Sequence, residues 1–344
     1  MSVSAPPLRV GILGAGLIGR KRAAALRSED RLLGATDISM QATRALVEEY
    51  GGAACADVAE LLELAPDVVV VAVSHDALAD QAAAALDAGA HVLVEKPAGL
   101  GTAEVARLAA AAERAGRRVK VGFNHRFHPG IARAVAEVHS GEHGELMHVR
   151  GRYGHGGRLG YDREWRADPA RSGGGELIDQ GMHLLDLSHW LAGPLPLHSA
   201  LLRTSFWDAP VEDNAALILG EPEGRTAPWA MLHVSWTEWK NLFSLEIYCR
   251  HAKLAVDGLV RSYGAQQLRI YRMSPELGPP ALEEVAFDDV DGSWGAEWEH
   301  FAKVIAEGGE LLGDLGDAHY AWSCVEAAYA RSPDYSAMRE AVLR

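Results

Sequence analysis

Gly14-Ala15-Gly16-Leu17-Ile18-Gly19 follows directly on the apolar run Leu8-Arg9-Val10-Gly11-Ile12-Leu13. Such a run is typical of a buried parallel strand. The glycines then permit a tight turn, close approach of the backbone to a pyrophosphate and close packing of the next helix, whose N-terminus attracts phosphate. The stretch predicts a dinucleotide-binding turn; the alternative is a glycine turn in another kind of α/β protein. The predicted cofactor contacts are Gly14, Gly16, Leu17, Ile18 and Gly19.

The residue that ends the second apolar run predicts which dinucleotide binds. Leu32–Thr36 is followed by Asp37, eighteen residues after Gly19, where an acidic residue bonds the ribose hydroxyls. A carboxylate there repels a 2′-phosphate, and the next residues, Ile38-Ser39-Met40, contain no arginine to neutralise one. We therefore predict NAD, rather than NADP, as the cofactor.

The overall composition excludes several classes of partner. A net charge of −14 argues against nucleic acid and against anionic membrane surfaces. Three scattered cysteines provide neither zinc spacing nor a disulfide framework, so we predict no metal and a reducing compartment. Met1–Pro7 is too short and uncharged for a signal peptide, and no apolar run would span a bilayer. We expect a cytoplasmic protein, and its many alanines and arginines are typical of a GC-rich bacterial genome.

The 344 residues predict about two domains. Through about residue 123, apolar runs alternate with alanine-rich helical stretches, which is the pattern of a doubly wound parallel sheet. We assign residues 1–128 to a Rossmann domain whose strands end at one ligand-binding edge. Beyond the first two runs, its predicted elements are strands Asp67–Val73, His91–Val94 and Arg118–Phe123 and helices Ala77–Ala88 and Thr102–Ala115.

Residues 129–344 show successive strand-like segments with few helices between them. This indicates an α+β domain with a large, mostly antiparallel, open-faced sheet, which we expect to bind substrate and to mediate oligomerisation. The predicted strands are Glu145–Tyr153, Ala215–Leu219, Trp229–Trp236, Phe243–Tyr248, Lys253–Val256 and Leu268–Tyr271. The predicted helices are Ile131–Ser140, Glu176–Leu191, Trp294–Glu307 and Ala318–Ala330.

Two segments carry candidate catalytic residues. Lys96 follows the strand His91–Val94, so its ammonium lies at the ligand-binding edge and can stabilise negative charge on a substrate oxygen. Asp179 and His183 are four residues apart and share one face if the segment is helical. An imidazole accepts a proton from an alcohol near neutral pH, a neighbouring carboxylate orients it, and Asp186 is one turn further on. The alternative for Lys96 is an ordinary surface lysine. The alternative for Asp179 and His183 is an acid near a helix N-terminus and a histidine buried in the core. A metal site is a third interpretation, but these residues are an incomplete set of metal ligands.

Four motifs occur together in one order: Gly14–Gly19, Glu95-Lys96-Pro97, Gly122-Phe123-Asn124-His125-Arg126-Phe127 and Gly173–Asp186. In these the chain resembles the glucose–fructose oxidoreductase / inositol dehydrogenase (Gfo/Idh/MocA) family over nearly its full length. The resemblance implies NAD(P)-dependent oxidation of a secondary alcohol on a sugar or cyclitol, or the reverse reduction. It assigns catalysis to Lys96, Asp179 and His183. Glu95, Lys96 and Asn124 fall in the cofactor-binding part, and Arg126 at the substrate end.

One loop departs from the family pattern. Many members have Thr-Pro-Asn after the fourth strand and a histidine shortly beyond, whereas this chain has Val73-Ser74-His75-Asp76 and then Leu78. We predict that Ser74 and His75 contact the cofactor instead, the alternative being that neither does.

Two other functions use the same scaffold. In an NAD-dependent glycosidase the cofactor is oxidised and reduced in turn and ends unchanged. A dinucleotide-binding regulator would have no need of both Lys96 and His183, which this chain retains. Neither the reacting ring carbon, the direction of reaction nor the pathway follows from the sequence.

Aromatic residues in the second half bear on assembly. Trp236, Trp239 and Phe243 lie close in sequence, and such residues are favoured at interfaces. The alternative is packing against the domain's own helices. Taken with the family resemblance, they predict a homodimer or homotetramer through the open sheet.

The segment from Arg150 to Arg171 carries six arginines against three acids in a protein of net charge −14. It includes a glycine-rich loop that leads toward Asp179, so we expect it to border the substrate. Guanidinium groups suit phosphate or carboxylate, and aromatic rings suit the apolar face of a sugar. We predict an anionic sugar; in the alternative, the arginines pair with local acids or face another subunit. The predicted contacts of this segment are Tyr153, His155, Arg158, Trp165 and Arg166.

Overall fold

The computed structural model describes residues 6–221, 223–224, 226–276 and 278–342, and the chain divides into two compact units. The first unit takes the chain as far as Asn124 and adds Gly292–His319. The second takes His125–Asp291 and continues from Tyr320. The assignment of all of residues 129–344 to one domain is therefore wrong for residues 292–319.

The first unit is built on a parallel sheet of six strands in the order β3-β2-β1-β4-β5-β6. The strands are β1 (Arg9–Leu13), β2 (Arg31–Thr36), β3 (Ala53–Ala54), β4 (Val68–Val71), β5 (His91–Val94) and β6 (Val119–Val121). The helices before residue 124 are α1 (Leu17–Ala24), α2 (Met40–Tyr50), α3 (Val58–Glu63), α4 (His75–Asp87) and α5 (Thr102–Ala115). All four valines of β4 are fully buried, as expected where helices cover both faces of a sheet. The predicted doubly wound fold is confirmed.

The strand order reverses beside β1, which pairs in parallel with β2 on one side and β4 on the other. Sheets of this kind bind ligands at such a point, beyond the carboxyl ends of the strands. The helix α5 has the predicted bounds and ends before Gly116, whose φ of +61° is left-handed. The helix α4 begins two residues before its predicted start, and β6 is shorter than predicted.

The second unit contains an eight-stranded sheet in the order β14-β13-β12-β11-β7-β10-β9-β8. Every pair is antiparallel except β7 with β10. The strands are β7 (Leu146–Gly154), β8 (Leu197–Arg203), β9 (Asn214–Leu219), β10 (Trp229–Ser235), β11 (Leu242–Cys249), β12 (Ala252–Asp257), β13 (Gln267–Arg272) and β14 (Ala281–Ala286). The later helices of the chain are α6 (Pro129–His139), α7 (Pro169–Ser172), α8 (Met182–Ala192), α9 (Ser293–Glu307), α10 (Leu315–Ala330) and α11 (Pro333–Val342). The mostly antiparallel sheet is confirmed, with β8, β14, α7 and α11 in addition to the predicted elements.

Helix α9 explains why the boundary prediction failed. Trp298 and Phe301 are buried in the same cluster as Val10 and Ile12 of β1. The indole nitrogen of Trp298 also donates a hydrogen bond of 2.7 Å to the Asp30 carboxylate. These contacts assign α9 to the first unit, although more than 250 residues separate it from its partners in sequence.

The aromatic residues predicted to form an interface occupy different environments. Trp236 packs with Tyr161 and Val211 in a small core of the second unit, and Phe243 contacts Tyr153. Both are about 1% exposed, so their place in an interface was a wrong prediction. Their apolar surface is already buried within the unit, which leaves only Trp239 exposed.

Candidate active site

The glycine turn of the first unit has the shape that a bound pyrophosphate requires. Gly14 has φ +95°, and a Cβ there would lie 2.3 Å from the Ala72 carbonyl oxygen. At Gly19 a Cβ would lie 1.8 Å from the carbonyl oxygen of Gly14. Gly16 differs, because a Cβ on it would meet no described atom within 4 Å. Gly14 and Gly19 are thus required by the fold itself, whereas Gly16 keeps open a space that a ligand can fill.

The start of α1 and the end of β2 face this turn. Gly16 precedes α1 and contributes no side-chain cap, so N–H groups of the first turn, which includes Leu17 and Ile18, are available to phosphate. The Asp37 carboxylate accepts hydrogen bonds from the N–H of Ala15 at 2.7 Å and of Ser39 at 2.8 Å. Each of its oxygens has a second lone pair with which to accept a ribose hydroxyl. These residues fit NAD.

The other predicted cofactor residues lie after β4, β5 and β6. Ser74 caps α4 through its backbone and makes no side-chain cap bond. His75 begins α4 and is buried, and Lys96 is partly exposed. The Asn124 amide nitrogen donates to the Ser293 hydroxyl at 2.9 Å, so this buried side chain is anchored by the first residue of α9.

Glu95 lies in a buried charge network rather than at the surface. Its carboxylate contacts Arg22 at 2.5 Å; Arg22 contacts Glu297 at 2.5 Å, and Glu297 contacts Lys120 at 2.9 Å. Burial raises the pKa of Glu95 against the pull of Arg22. Burial also acts to raise the pKa of Glu297, but Lys120 and Arg22 outweigh it and lower that pKa. The network fixes the residue immediately before Lys96.

The predicted helix Glu176–Leu191 is divided in two. Leu177–Gly181 forms a wide π-helical turn, and α8 begins at Met182. Asp179 lies in the wide turn and His183 in the first turn of α8, so the assumption of one regular α-helix was wrong. Turns of this kind are frequent at functional sites because they redirect side chains. The apolar residues of α8 pack on the sheet, where Leu184 lies 3.1 Å from the position of a Cβ on Gly151 of β7.

The Asp179 carboxylate is contacted by an arginine and a tyrosine. Arg166 lies 3.4 Å away through Nε, and the Tyr161 hydroxyl donates a weak bond of 3.5 Å to the same oxygen. Burial acts to lower the pKa of Arg166, but the attraction of Asp179 and other nearby groups outweighs burial and raises that pKa. The guanidinium therefore stays charged. Burial, and then Asp179, raises the pKa of Tyr161, which stays protonated and able to donate. Both partners stabilise the ionised carboxylate.

Three histidines of the second unit make ring or hydrogen-bond contacts in this region. The buried His183 ring stacks on His125 with centroids 3.7 Å apart. His155 accepts from the Gly157 N–H through Nδ1 at 2.9 Å, so its proton is on Nε2, which lies 3.4 Å from the Tyr161 hydroxyl. Burial lowers the pKa of His155 and favours this neutral form. His155, Tyr161 and Asp179 thus form one hydrogen-bonded series.

Arg126 and Asp186 are bound to each other. Nε and Nη2 of Arg126 donate to the Asp186 carboxylate at 2.9 and 2.6 Å. Both side chains are buried, and the guanidinium also lies 5.3 Å from the centre of the Trp190 ring. Asp186, the acid that follows His183 on α8, thus forms an ion pair with Arg126.

The arginine-rich segment is partly neutralised by acids outside it. Arg150 pairs with Glu246, and Arg166 with Asp179. Arg158 contacts Glu164 at 2.7 Å, but its side chain remains 69% exposed. Trp165 lies under Arg166, with 4.7 Å between the guanidinium carbon and the ring centre. The structure therefore brings Trp165, Arg166 and Tyr161 to Asp179 and leaves Arg158 at the surface.

Sequence reasoning missed three residues of this region. Tyr263 accepts a hydrogen bond of 2.9 Å from Gln180, the residue after Asp179, and its ring packs on Tyr153 at 5.4 Å. Glu212 and Asp213 are buried and bind backbone N–H groups. The only sequence signal was an acidic pair just before a predicted strand, which does not reveal burial.

Two kinds of feature, membrane-spanning helices and metal-binding clusters, are absent from the residues that the structure describes. No helix there is long and apolar enough to cross a membrane. The described side chains form no group of three or more His, Cys, Asp or Glu able to hold a metal ion.

Comparison with known proteins follows the two parts of the chain. Residues 8–123 match the model of an oxidoreductase family with an NAD-binding Rossmann fold, and residues 131–255 match the GFO/IDH/MocA C-terminal domain. The first match confirms NAD as the cofactor class. Together the two matches cover most of the chain.

Individual proteins match the chain at about 30% identity and over about half of its length. The chain is 31% identical over 199 residues, 56% of each chain, to D-glucoside 3-dehydrogenase of Escherichia coli K12. It is 30% identical over 187 residues, 53% of each chain, to glucose-6-phosphate 3-dehydrogenase of Bacillus subtilis. The chain thus spans only 53–56% of the length of these curated relatives. A solved levoglucosan dehydrogenase with NADH and levoglucosan superposes with a TM-score of 0.84 at 18% identity, covering 96% of this chain and 98% of that one, which shows a shared fold.

Proposed function

The chain belongs to the Gfo/Idh/MocA family of oxidoreductases, and from that premise we propose that it is an NAD-dependent dehydrogenase or reductase. Its substrate is the secondary alcohol, or the corresponding ketone, of a sugar, nucleotide sugar or cyclitol. The observation that carries the proposal is the setting of one short segment: Asp179, bound by Arg166 and Tyr161, stands four residues before the buried His183. NAD, when bound, supplies the hydride acceptor or donor.

Each proposed catalytic residue has one task. His183 removes the hydroxyl proton during oxidation and returns it during reduction. Lys96 places a positive charge against the reacting oxygen, where negative charge develops. Asp179 orients the hydroxyl and balances the charge of the protonated imidazole. Arg166 and Tyr161 keep Asp179 ionised, because each interacts favourably with the carboxylate form.

A substrate panel tests this proposal. Purified protein with NAD is offered sugars, cyclitols, sugar acids, sugar phosphates and nucleotide sugars, and NADH absorbance is followed. We expect NADH to form with at least one secondary alcohol. Cleavage of an aryl glycoside without net formation of NADH would instead identify a glycosidase. Binding of NAD with no turnover of any compound would identify a regulator.

The substrate is proposed to be anionic, on the basis of Arg158. This side chain is exposed, although it contacts the half-buried Glu164 of the same segment. Arg158→Ala should raise KM for a sugar phosphate or sugar acid and weaken its salt dependence. Arg163→Ala, which alters another exposed arginine of the segment, is the matched control. Turnover restricted to neutral or amino sugars would contradict an anionic substrate.

The protein is proposed to form a homodimer or homotetramer through the open face of the eight-stranded sheet. Trp229 and Met231 of β10 and Met147 of β7 are exposed there. His148 stacks on Trp229 at 4.8 Å and on Tyr248 at 4.1 Å, which makes a continuous aromatic strip across three strands. A second copy would cover this apolar surface. Sedimentation that shows only a 36.9 kDa species at micromolar concentration would contradict it.

A further inference from the structure

Two adjacent carboxylates, Glu212 and Asp213, are completely buried in the second unit. They immediately precede β9, so their side chains leave an extended backbone in different directions. Neither forms an ion pair with any residue that the structure describes. A buried carboxylate without such a partner is costly unless hydrogen bonds replace its water. These two are satisfied mainly by backbone N–H groups. One of the segments that provide those groups leads into the turn that carries Asp179, and the other carries Trp207, whose ring contacts Tyr161.

Glu212 binds the segment that leads into the turn carrying Asp179. Its carboxylate accepts from the Gly175 N–H at 3.2 Å and the Leu177 N–H at 3.0 Å. Its own carbonyl oxygen accepts from the Glu176 N–H at 3.0 Å. Three consecutive backbone groups therefore donate to one residue. A Cβ on Gly175 would lie only 2.0 Å from that carbonyl oxygen, so the close approach needs glycine.

A tyrosine completes the surroundings of Glu212. The Tyr329 hydroxyl donates to both carboxylate oxygens at 2.9 Å. Burial raises the pKa of Glu212 to about 7, while its N–H donors and Tyr329 act to lower it. The ionised form is thus stabilised by the segment that it binds. The turn Leu177–Gly181 begins at the last of these donors, so Glu212 determines where the turn starts.

Asp213 binds a different segment, residues 205–207. Its carboxylate accepts from the N–H groups of Ser205 at 2.8 Å, Phe206 at 2.7 Å and Trp207 at 3.1 Å. The Trp207 indole then donates to the Trp236 carbonyl oxygen at 3.0 Å. Rings of these two tryptophans lie 5.8 and 5.0 Å from the ring of Tyr161. Asp213 therefore supports the aromatic wall behind the tyrosine that contacts Asp179.

We infer that Glu212 and Asp213 act together as a positioning pair for Asp179. Glu212 places the turn that carries the carboxylate, and Asp213 places the wall that holds its partner Tyr161. Glu212 and Asp213 are consecutive in the chain, so a shift of one moves the other. The turn that carries Asp179 and the aromatic wall that holds Tyr161 therefore keep their relative positions. The inference rests on the proposed catalytic role of Asp179.

Two isosteric variants test the pair. Glu212→Gln and Asp213→Asn each keep one acceptor oxygen but place an amide NH₂ against backbone N–H groups. We expect each to lower kcat by about 10²-fold, the effect of roughly 1 Å of misplacement, with KM for NAD and NAD affinity unchanged. Asp30→Asn is the control in the first unit. That carboxylate also accepts from backbone N–H groups, of Leu8 at 2.9 Å and Arg27 at 3.1 Å, and is paired with the Arg27 guanidinium as well. This control should lower the melting temperature but leave kcat at the wild-type value.

Amide hydrogen exchange supplies a readout that needs no substrate. Peptides covering 175–181 should exchange faster in Glu212→Gln, and peptides covering 205–207 faster in Asp213→Asn, than in the wild type. Wild-type exchange in both variants, or wild-type kcat in both, would overturn the positioning pair. If the exchange differences occur but the wild type oxidises nothing on the substrate panel, the proposed function fails while the control of the Asp179 segment by Glu212 stands.

Discussion

The candidate cofactor site of the first unit is built mainly from backbone groups, whereas the candidate catalytic site of the second unit is built mainly from side chains. At the glycine turn, Gly16 contributes open space, and Asp37 is fixed by two backbone N–H groups. Around Asp179, by contrast, the partners are an arginine and a tyrosine. Backbone geometry suits a cofactor that is the same in every turnover, while side chains supply charge and protons to the reacting atoms. Substitutions in the two regions should therefore separate binding from turnover.

The largest expected effect is on turnover. His183→Ala and Lys96→Ala should each lower kcat by about 10²–10⁴, the usual contribution of proton transfer or of charge stabilisation. The fold and NAD affinity should stay intact, because neither residue belongs to the glycine turn. Steady-state kinetics with the best substrate and a separate NAD titration check both parts. Near-normal turnover in either variant would remove that residue from the mechanism.

In the first unit, Gly16→Ala should weaken NAD binding without unfolding the protein. The φ of −71° suits alanine, and a Cβ there meets no described atom, but it would occupy the space assigned to the pyrophosphate. We expect a loss of at least about tenfold in affinity, or 1.4 kcal/mol, by calorimetric titration. Gly295→Ala, at another glycine with open space around it, is the control and should leave affinity unchanged. Unchanged affinity in Gly16→Ala would contradict the cofactor assignment.

Tyr161→Phe should have a smaller effect and confine it to turnover. It removes the hydroxyl that makes long hydrogen bonds to Asp179 and His155, and it leaves the ring packed against Trp207 and Trp236. We expect kcat to fall by about threefold to tenfold, less than the loss of a short bond to a charged group. Tyr335→Phe removes a hydroxyl bonded to Thr204 in the same unit and should not change kcat. Equal kcat in both variants would rule out a role for Tyr161 at Asp179.

The last prediction concerns the pH dependence of stability rather than binding or turnover. Burial raises the pKa of Glu212 from its ordinary 4.5 to about 7, so the folded state favours the protonated form. The stability due to this proton is complete below about pH 4.5 and is lost as pH rises to about 7, by up to about 3 kcal/mol. The titratable neighbours that act on the group are Tyr329 and Tyr335, which stay neutral throughout this range.

Urea unfolding at pH 5 and pH 8 measures this effect. The quantity of interest is the free energy of unfolding of the wild type minus that of Glu212→Gln. This difference should be larger at pH 5 than at pH 8, because glutamate titrates and glutamine does not. The same difference between the two proteins at both pH values would show that Glu212 does not take up a proton in this range.

The first unit could be predicted closely because its signals are local. A glycine turn behind an apolar run, and a helix ended by Gly116, depend on residues only a few positions apart. Helix α9 could not be assigned in this way, because its burial depends on β1 and on Asp30, near the other end of the chain. Strand β14 is largely exposed and contains Glu283 and Glu284, so it lacks the apolar alternation that marks other strands.

The same distinction between local and long-range signals applies to the candidate site. Asp179 and His183 were proposed from their spacing. The wide turn between them was not predicted, because it depends on bonds to Glu212, 35 residues beyond Leu177. Trp236 and Phe243 were misplaced because aromatic side chains carry the same apolar signal in a core as at an interface. The partners of Arg126 and Arg166 lie 60 and 13 residues away, so their pairing also becomes visible only in three dimensions.

Deuterium transfer tests the central claim most directly. A substrate identified on the panel is prepared with deuterium on the carbinol carbon and mixed with excess enzyme and NAD for a single turnover, and the reduced cofactor is analysed by mass spectrometry. The proposed reaction predicts reduced cofactor that carries one deuterium from that carbon. Reduced cofactor without deuterium, or product formed while all of the cofactor remains NAD, would contradict it.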